Sequence, residues 1–113
     1  MSMRISSCNE YFETLDKRFV PSAAKGVHAV IQFELEGDGG GTWHIDIHDS
    51  AMKVVKGSNP NPTATVGANA GDYVKIINGD MSGLRAVMTR KMKVSGNLVL
   101  ARKMENMFPP AKS

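Results

Sequence analysis

The chain has 113 residues, 42% of them hydrophobic and 22% charged, with 14 Lys and Arg against 11 Asp and Glu. This describes one domain over residues 1–113 with a single core, and excludes a two-lobed enzyme with a cleft between lobes. The charge is uneven: residues 1–56 carry six basic and eight acidic side chains, residues 57–113 eight basic and three acidic, so an anionic partner is drawn to the C-terminal half.

Ser7 and Glu10 have capping-box spacing, which predicts a helix. Tyr11, Phe12, Leu15 and Phe19 then recur along one helix face until Pro21. Val27, Ala29, Ile31, Phe33 and Leu35 alternate with polar residues as a half-buried strand, and Trp43, Ile45 and Ile47 alternate likewise beyond the run Gly37–Gly41. A five-residue loop makes these two strands a hairpin with Leu35 opposite Trp43, Phe33 opposite Ile45 and Glu34 opposite His44. A turn at Asp49-Ser50 returns the chain as a third strand with Met52 and Val54 inward and Lys53 opposite Asp46. Pro60 and Pro62 interrupt pairing, and Thr63–Val66 is expected as a short strand at or near a sheet edge.

The period then changes to 3.6. Asn69 is the expected N-cap of a helix carrying Tyr73, Ile76 and Ile77, and Gly79 its stop. A second helix from Asp80 places Met81, Leu84, Val87 and Met88 on one side. Lys91–Ser95 alternates as a strand, and Asn97 caps a last helix with Leu100, Ala101, Met104, Met107 and Phe108 on its apolar face before Pro109-Pro110.

No apolar run approaches the roughly 18 residues of a membrane-spanning helix. Glu10, Glu13 and Asp16 stand where a secretory leader is uncharged, and the lone Cys8 allows neither an internal disulfide nor a thiolate metal site, so the expected compartment is the cytoplasm.

His44-x-Asp46-x-His48 has metal-ligand residue types on one strand face, but that face is the polar outer one, where Asp46 meets Lys53 and His44 meets Glu34. The reading is a solvated sheet face: no metal and no cofactor are expected. The glycine run joins two strands, whereas a phosphate-binding loop joins a strand to a helix. Cys8 has no base partner, with His28 on another element, so no catalytic residue is assigned and no enzyme is expected. The cations lack interleaved aromatics, which argues against nucleic acid.

Five of the eight methionines, Met81, Met88, Met92, Met104 and Met107, lie in the last 33 residues. They read either as core filling or as a deformable apolar pocket between the C-terminal helices and the sheet, rimmed by Arg85, Arg90, Lys91, Lys93, Arg102 and Lys103. A fatty acid or acyl-CoA, with an apolar tail and anionic head, fits the second reading.

Residues 33–108 resemble the sterol carrier protein 2 family of non-specific lipid-transfer domains. The resemblance rests on the glycine-rich hairpin before Thr42-Trp43-His44-Ile45, on Pro62–Val66, and on Asp72-Tyr73-x-x-Ile76-x-x-Gly79-Asp80. Ala86 and Lys91-Met92-Lys93-Val94-Ser95-Gly96-Asn97 follow in the same order. Family members often carry glycine before that lysine, where this chain has Arg90.

The resemblance implies an α+β fold: a five-stranded, mostly antiparallel sheet with helices on one face and a hydrophobic tunnel between them. It implies non-enzymatic binding and transfer of a fatty acid, acyl-CoA or sterol-like lipid. By matching elements, Ile76, Ile77, Met81, Leu84, Val87, Met88, Met104, Met107 and Phe108 line the tunnel. The basic rim would touch an anionic membrane surface. The alternative is an accessory module that presents an apolar substrate, such as an isoprenoid quinone precursor, to a partner lipid-modifying enzyme.

Overall fold

The computed structural model describes residues 5–97 together with Val99, Leu100, Lys103 and Met107. Five strands, β1 (His28–Glu36), β2 (Gly41–His48), β3 (Ala51–Lys56), β4 (Ala64–Asn69) and β5 (Met92–Gly96), form one sheet in the order β3-β2-β1-β4-β5. All neighbours are antiparallel except β1 and β4. With the helices on one face this is the expected α+β architecture, and β4 lies one place in from the β5 edge.

The parallel pair requires a crossover from β3 to the far side of β1. It runs over the outer face, where Gln32 Oε1 accepts from Asn59 N–H (2.7 Å) and Gln32 Nε2 donates to Glu34 (2.6 Å). Those bonds make it tolerable for the polar Gln32 to be buried. Thr63 fixes the end of the crossover by exchanging two bonds with the Val30 backbone.

The β1–β2 hairpin keeps the expected side-chain parity but not the expected register. Phe33, not Leu35, lies opposite Trp43, and Gln32, not Glu34, opposite His44. The reason is a tighter loop. Gly40 N–H closes onto Gly37 O, and Gly41 joins the ladder opposite Leu35, which slides the pairing by two residues. A Cβ at Gly41 would lie 3.1 Å from the Trp43 ring, so the missing side chain makes room for the indole. The β2–β3 register places Asp46 opposite Lys53 as expected.

Helix α1 (Cys8–Glu13) begins at Ser7, whose Oγ accepts from Glu10 N–H. The Glu10 carboxylate turns back to Ser6, accepting from its N–H (2.7 Å) and hydroxyl (3.0 Å), rather than to Ser7. The α-helix ends before Phe19: the Thr14 hydroxyl donates to Glu10 O, and Leu15–Lys17 forms a single 3₁₀ turn. Helix α2 (Ala70–Ile77) is capped by Asn69, whose Oδ1 accepts from Gly71 N–H. The next helix, α3 (Gly83–Met88), starts at Ser82 rather than Asp80, because Asp80 and Met81 donate their N–H groups to Lys75 O and so belong to the end of α2.

Both helices end in a Schellman motif. In α2, Gly79 N–H donates to Ile76 O and Asp80 N–H to Lys75 O, with Gly79 at φ 80°. In α3, Arg90 N–H donates to Val87 O and Lys91 N–H to Ala86 O, with Arg90 at φ 64°. Arg90 thus holds the left-handed position that favours glycine. Beyond β5, Asn97 Oδ1 accepts from Leu100 N–H, and Val99, Leu100, Lys103 and Met107 are helical. Among the described residues, no helix is long and apolar enough to cross a membrane.

Candidate functional site

The inner face of the sheet is apolar because every second residue of β1, β2 and β4 is apolar. Ile31, Phe33, Trp43, Ile45, Ile47 and Val66 are all buried there. Met52, Val54, Met92 and Val94 on the edge strands are half-buried against the same core. Tyr11, Phe12 and Leu15 cover it from the N-terminal side, Tyr73 and Ile77 from α2, and Leu100 and Met107 from the last helix.

The two layers meet through an aromatic cluster. Phe12 stacks on Trp43 with centroids 4.5 Å apart and planes at 17°, and meets Phe33 edge-on at 5.2 Å. Tyr73 lies 5.7 Å from Phe33 and 6.0 Å from Tyr11. These residues come from four separate elements, and sequence reasoning did not assign any of them to a site. The signal lay in the inward parity of Phe33 and Trp43 together with the apolar face of α1. Burial pushes both tyrosine phenols well above the ordinary tyrosine value, so the groups stay neutral.

Beside the Phe12–Trp43 stack lies an open depression of about 470 Å³, lined by Asn9, Phe12, Glu13, Asp16, Trp43, Val54 and Lys56. Its floor is aromatic and aliphatic, while Lys56 Nζ stands 5.7 Å from the indole centroid. A smaller depression of about 190 Å³ separates the start of β1 from the last helix, between Val27, Thr63, Val99 and Leu100.

The expected lining residues are placed as follows. Ile77 and Met107 are buried, and the Met107 carbonyl accepts from Val20 N–H (2.8 Å). Ile76 is half-buried against the core, and Met81 is half-buried. Helix α3 turns Ala86 inward and leaves Leu84 71%, Met88 75% and Val87 41% exposed. Met104 and Phe108 lie outside the described residues. None of the seven described side chains borders either depression.

His44 and His48 turn to separate neighbours. His44 Nδ1 donates to Gly57 O (2.9 Å), Asp46 faces Lys53, and His48 meets His28. Cys8 is buried, its Sγ 3.5 Å from Ala70 O, and burial pushes its thiol up, away from the reactive thiolate. The site therefore offers apolar and aromatic surface with neutral phenols behind it, suited to holding a hydrophobic chain.

Comparison with known proteins agrees with this arrangement. The pattern of the SCP-2 sterol transfer family matches residues 9–109. The mouse hydroxysteroid dehydrogenase-like protein 2 is 32% identical over 105 residues, covering 92% of this chain and 21% of that protein. The chain spans about a fifth to a quarter of the length of the curated relatives it matches. Sterol carrier protein 2 of Yarrowia lipolytica, in its apo form, superposes with a TM-score of 0.74 at 21% identity over 98% of both chains. Sterol carrier protein 2 of Aedes aegypti, solved in complex with the C16 fatty acid palmitate, superposes with a TM-score of 0.71 at 23% identity, over 99% of this chain and 100% of that one. With its five-stranded sheet, its helical cover and this match over residues 9–109, the chain belongs to the SCP-2 sterol transfer family.

Proposed function

We propose that the chain binds one long-chain lipid of the fatty-acid class, without chemical turnover, and transfers it within the cytoplasm. The observation that carries this reading is the apolar inner face of the sheet, which Phe12 of α1 covers through ring contacts with Phe33 and Trp43. Such contacts can part and re-form without breaking a backbone ladder. The tail lies against Ile76, Ile77, Met81 and Met107. Leu84, Val87 and Met88 of α3 close over it.

The exposed apolar surface of α3 supports this assignment, since a bound chain or a bilayer would remove it from water. A tail of about 14 methylenes offers on the order of 10 kcal/mol by transfer, from which ordering costs subtract, so micromolar affinity is expected. Residues 81–103 carry six cations and no acid. They would hold the anionic head, or meet an anionic membrane during transfer.

The test is a chain-length series of saturated fatty acids, read by the emission of the single Trp43. Affinity should rise with length, and Met88→Glu, an exposed and therefore fold-compatible change, should weaken binding about tenfold. Length-independent affinity together with an unaffected Met88→Glu variant would refute this pocket. A second reading is favoured by the mouse relative, in which a matching segment is about one fifth of a longer protein. In that reading the domain presents a lipid to a partner lipid-modifying enzyme, and co-purification with such an enzyme tests it.

A further inference from the structure

The antiparallel register brings His28, at the start of β1, directly opposite His48, at the end of β2. The two Nδ1 atoms are 3.1 Å apart, the rings meet at 88°, and both residues are exposed on the outer face, away from the lipid-facing layer. Two neutral imidazoles satisfy such a contact with one shared N–H, leaving the other ring nitrogens to solvent. The same spacing suits a shared cation. With metal–nitrogen bonds of about 2.05 Å, donors 3.1 Å apart subtend about 98° at the ion, between the square and tetrahedral values.

We propose that His28 and His48 together form a surface site for one divalent ion of the zinc–copper–nickel class, each histidine giving its Nδ1 and water completing the coordination. Imidazole is a favoured ligand for these ions. The backbone around the pair is already fixed. Asp49 N–H donates to Val27 O (2.9 Å), Gly26 N–H donates to Asp49 Oδ1 (2.8 Å), and the β1–β2 ladder holds the two strands in register. An ion would therefore order little beyond the two imidazole side chains.

The surroundings tolerate a dication. Asp46 and Asp49 flank His48 in sequence, and Lys103 stands across the small depression that His28 borders, so the local charge is close to balanced. The site differs from the strand-local set His44, Asp46 and His48, of which His44 turns to Gly57 O rather than to His48. It is independent of lipid binding. Its physical effect is to clip the open end of the β1–β2 hairpin, so binding should stabilise the fold.

The test is a titration of the intact protein with zinc chloride, read by the imidazole NMR resonances. One ion per chain should shift His28 and His48 together, saturably and with a micromolar dissociation constant, while His44 stays in place; acid should reverse the shift, because a protonated imidazole cannot ligate. His28→Asn and His48→Asn should each weaken binding about tenfold or more, whereas His44→Asn should change it less than about twofold. Circular dichroism checks that the variants fold. If a variant does not, the wild-type resonances alone decide. Absence of saturation at millimolar zinc, or equal movement of His44, would overturn the proposal.

Discussion

Arg90→Gly should stabilise the protein. Arg90 occupies the position after α3 at φ 64°, and its N–H and that of Lys91 complete the same pair of bonds that Gly79 and Asp80 make after α2. A side chain in the left-handed region costs roughly 1–2 kcal/mol, while glycine loses roughly 0.5–1 kcal/mol more backbone entropy on folding, leaving a net gain of about 0.5–1 kcal/mol. With an unfolding entropy near 2.1 cal/mol/K per residue over 113 residues, that gain raises Tm by about 2–4 °C. Arg90→Ala removes the same exposed cation but keeps the backbone conformation, so it should change Tm by less than about 1 °C. The assay is thermal and urea unfolding of the three proteins side by side, with lipid absent. A Tm for Arg90→Gly at or below that of the parent, or an equal rise in Arg90→Ala, would refute the account of this turn.

Asn78 is buried, and its side chain accepts from Ile5 N–H (2.7 Å) and donates to Ile5 O (2.8 Å); Asn78→Ala strands both backbone groups and should cost about 2–4 kcal/mol in urea unfolding. Tyr11 and Tyr73 are the only tyrosines, and burial raises both phenols, so their stabilising contribution is complete below the ordinary tyrosine value and is lost as pH rises above it. Absorbance of phenolate should therefore emerge only together with alkaline unfolding; a rise that precedes loss of near-ultraviolet circular dichroism contradicts this. The bonds from the Ser6 backbone and hydroxyl hold the Glu10 carboxyl below its usual value, so its contribution is present above the ordinary carboxylate range and is lost as pH falls through the depressed value. In an NMR titration Ser6→Ala should move the Glu10 midpoint upward but not fully back, since the Ser6 N–H remains; an unmoved midpoint argues against the bond.

The strands were legible because the inner face of the sheet is strictly periodic, and the caps at Ser7, Asn69 and Asn97 because each is local. The hairpin register was not, since five consecutive loop residues, four of them glycine, do not reveal where pairing resumes. That two-residue slip also concealed the His28–His48 pair, which exists only when Phe33 lies opposite Trp43. The orientation of α3 escaped periodicity for another reason. In six residues the large side chains Leu84, Val87 and Met88 mark an apolar face, yet only the small Ala86 fits close against the neighbouring structure. The aromatic cluster joins residues as distant as Tyr11 and Tyr73, and no local pattern encodes that meeting. Arg90 was visible as a departure from a family glycine, and its positive φ supplies the physical meaning.

The most direct test of the lipid-binding account is native mass spectrometry of the protein equilibrated with palmitate. The account predicts one fatty acid per chain, retained on desolvation and reduced by Met88→Glu. A chain that remains entirely ligand-free at fatty-acid concentrations well above micromolar would contradict it, and would leave the helical cover of the sheet as ordinary core.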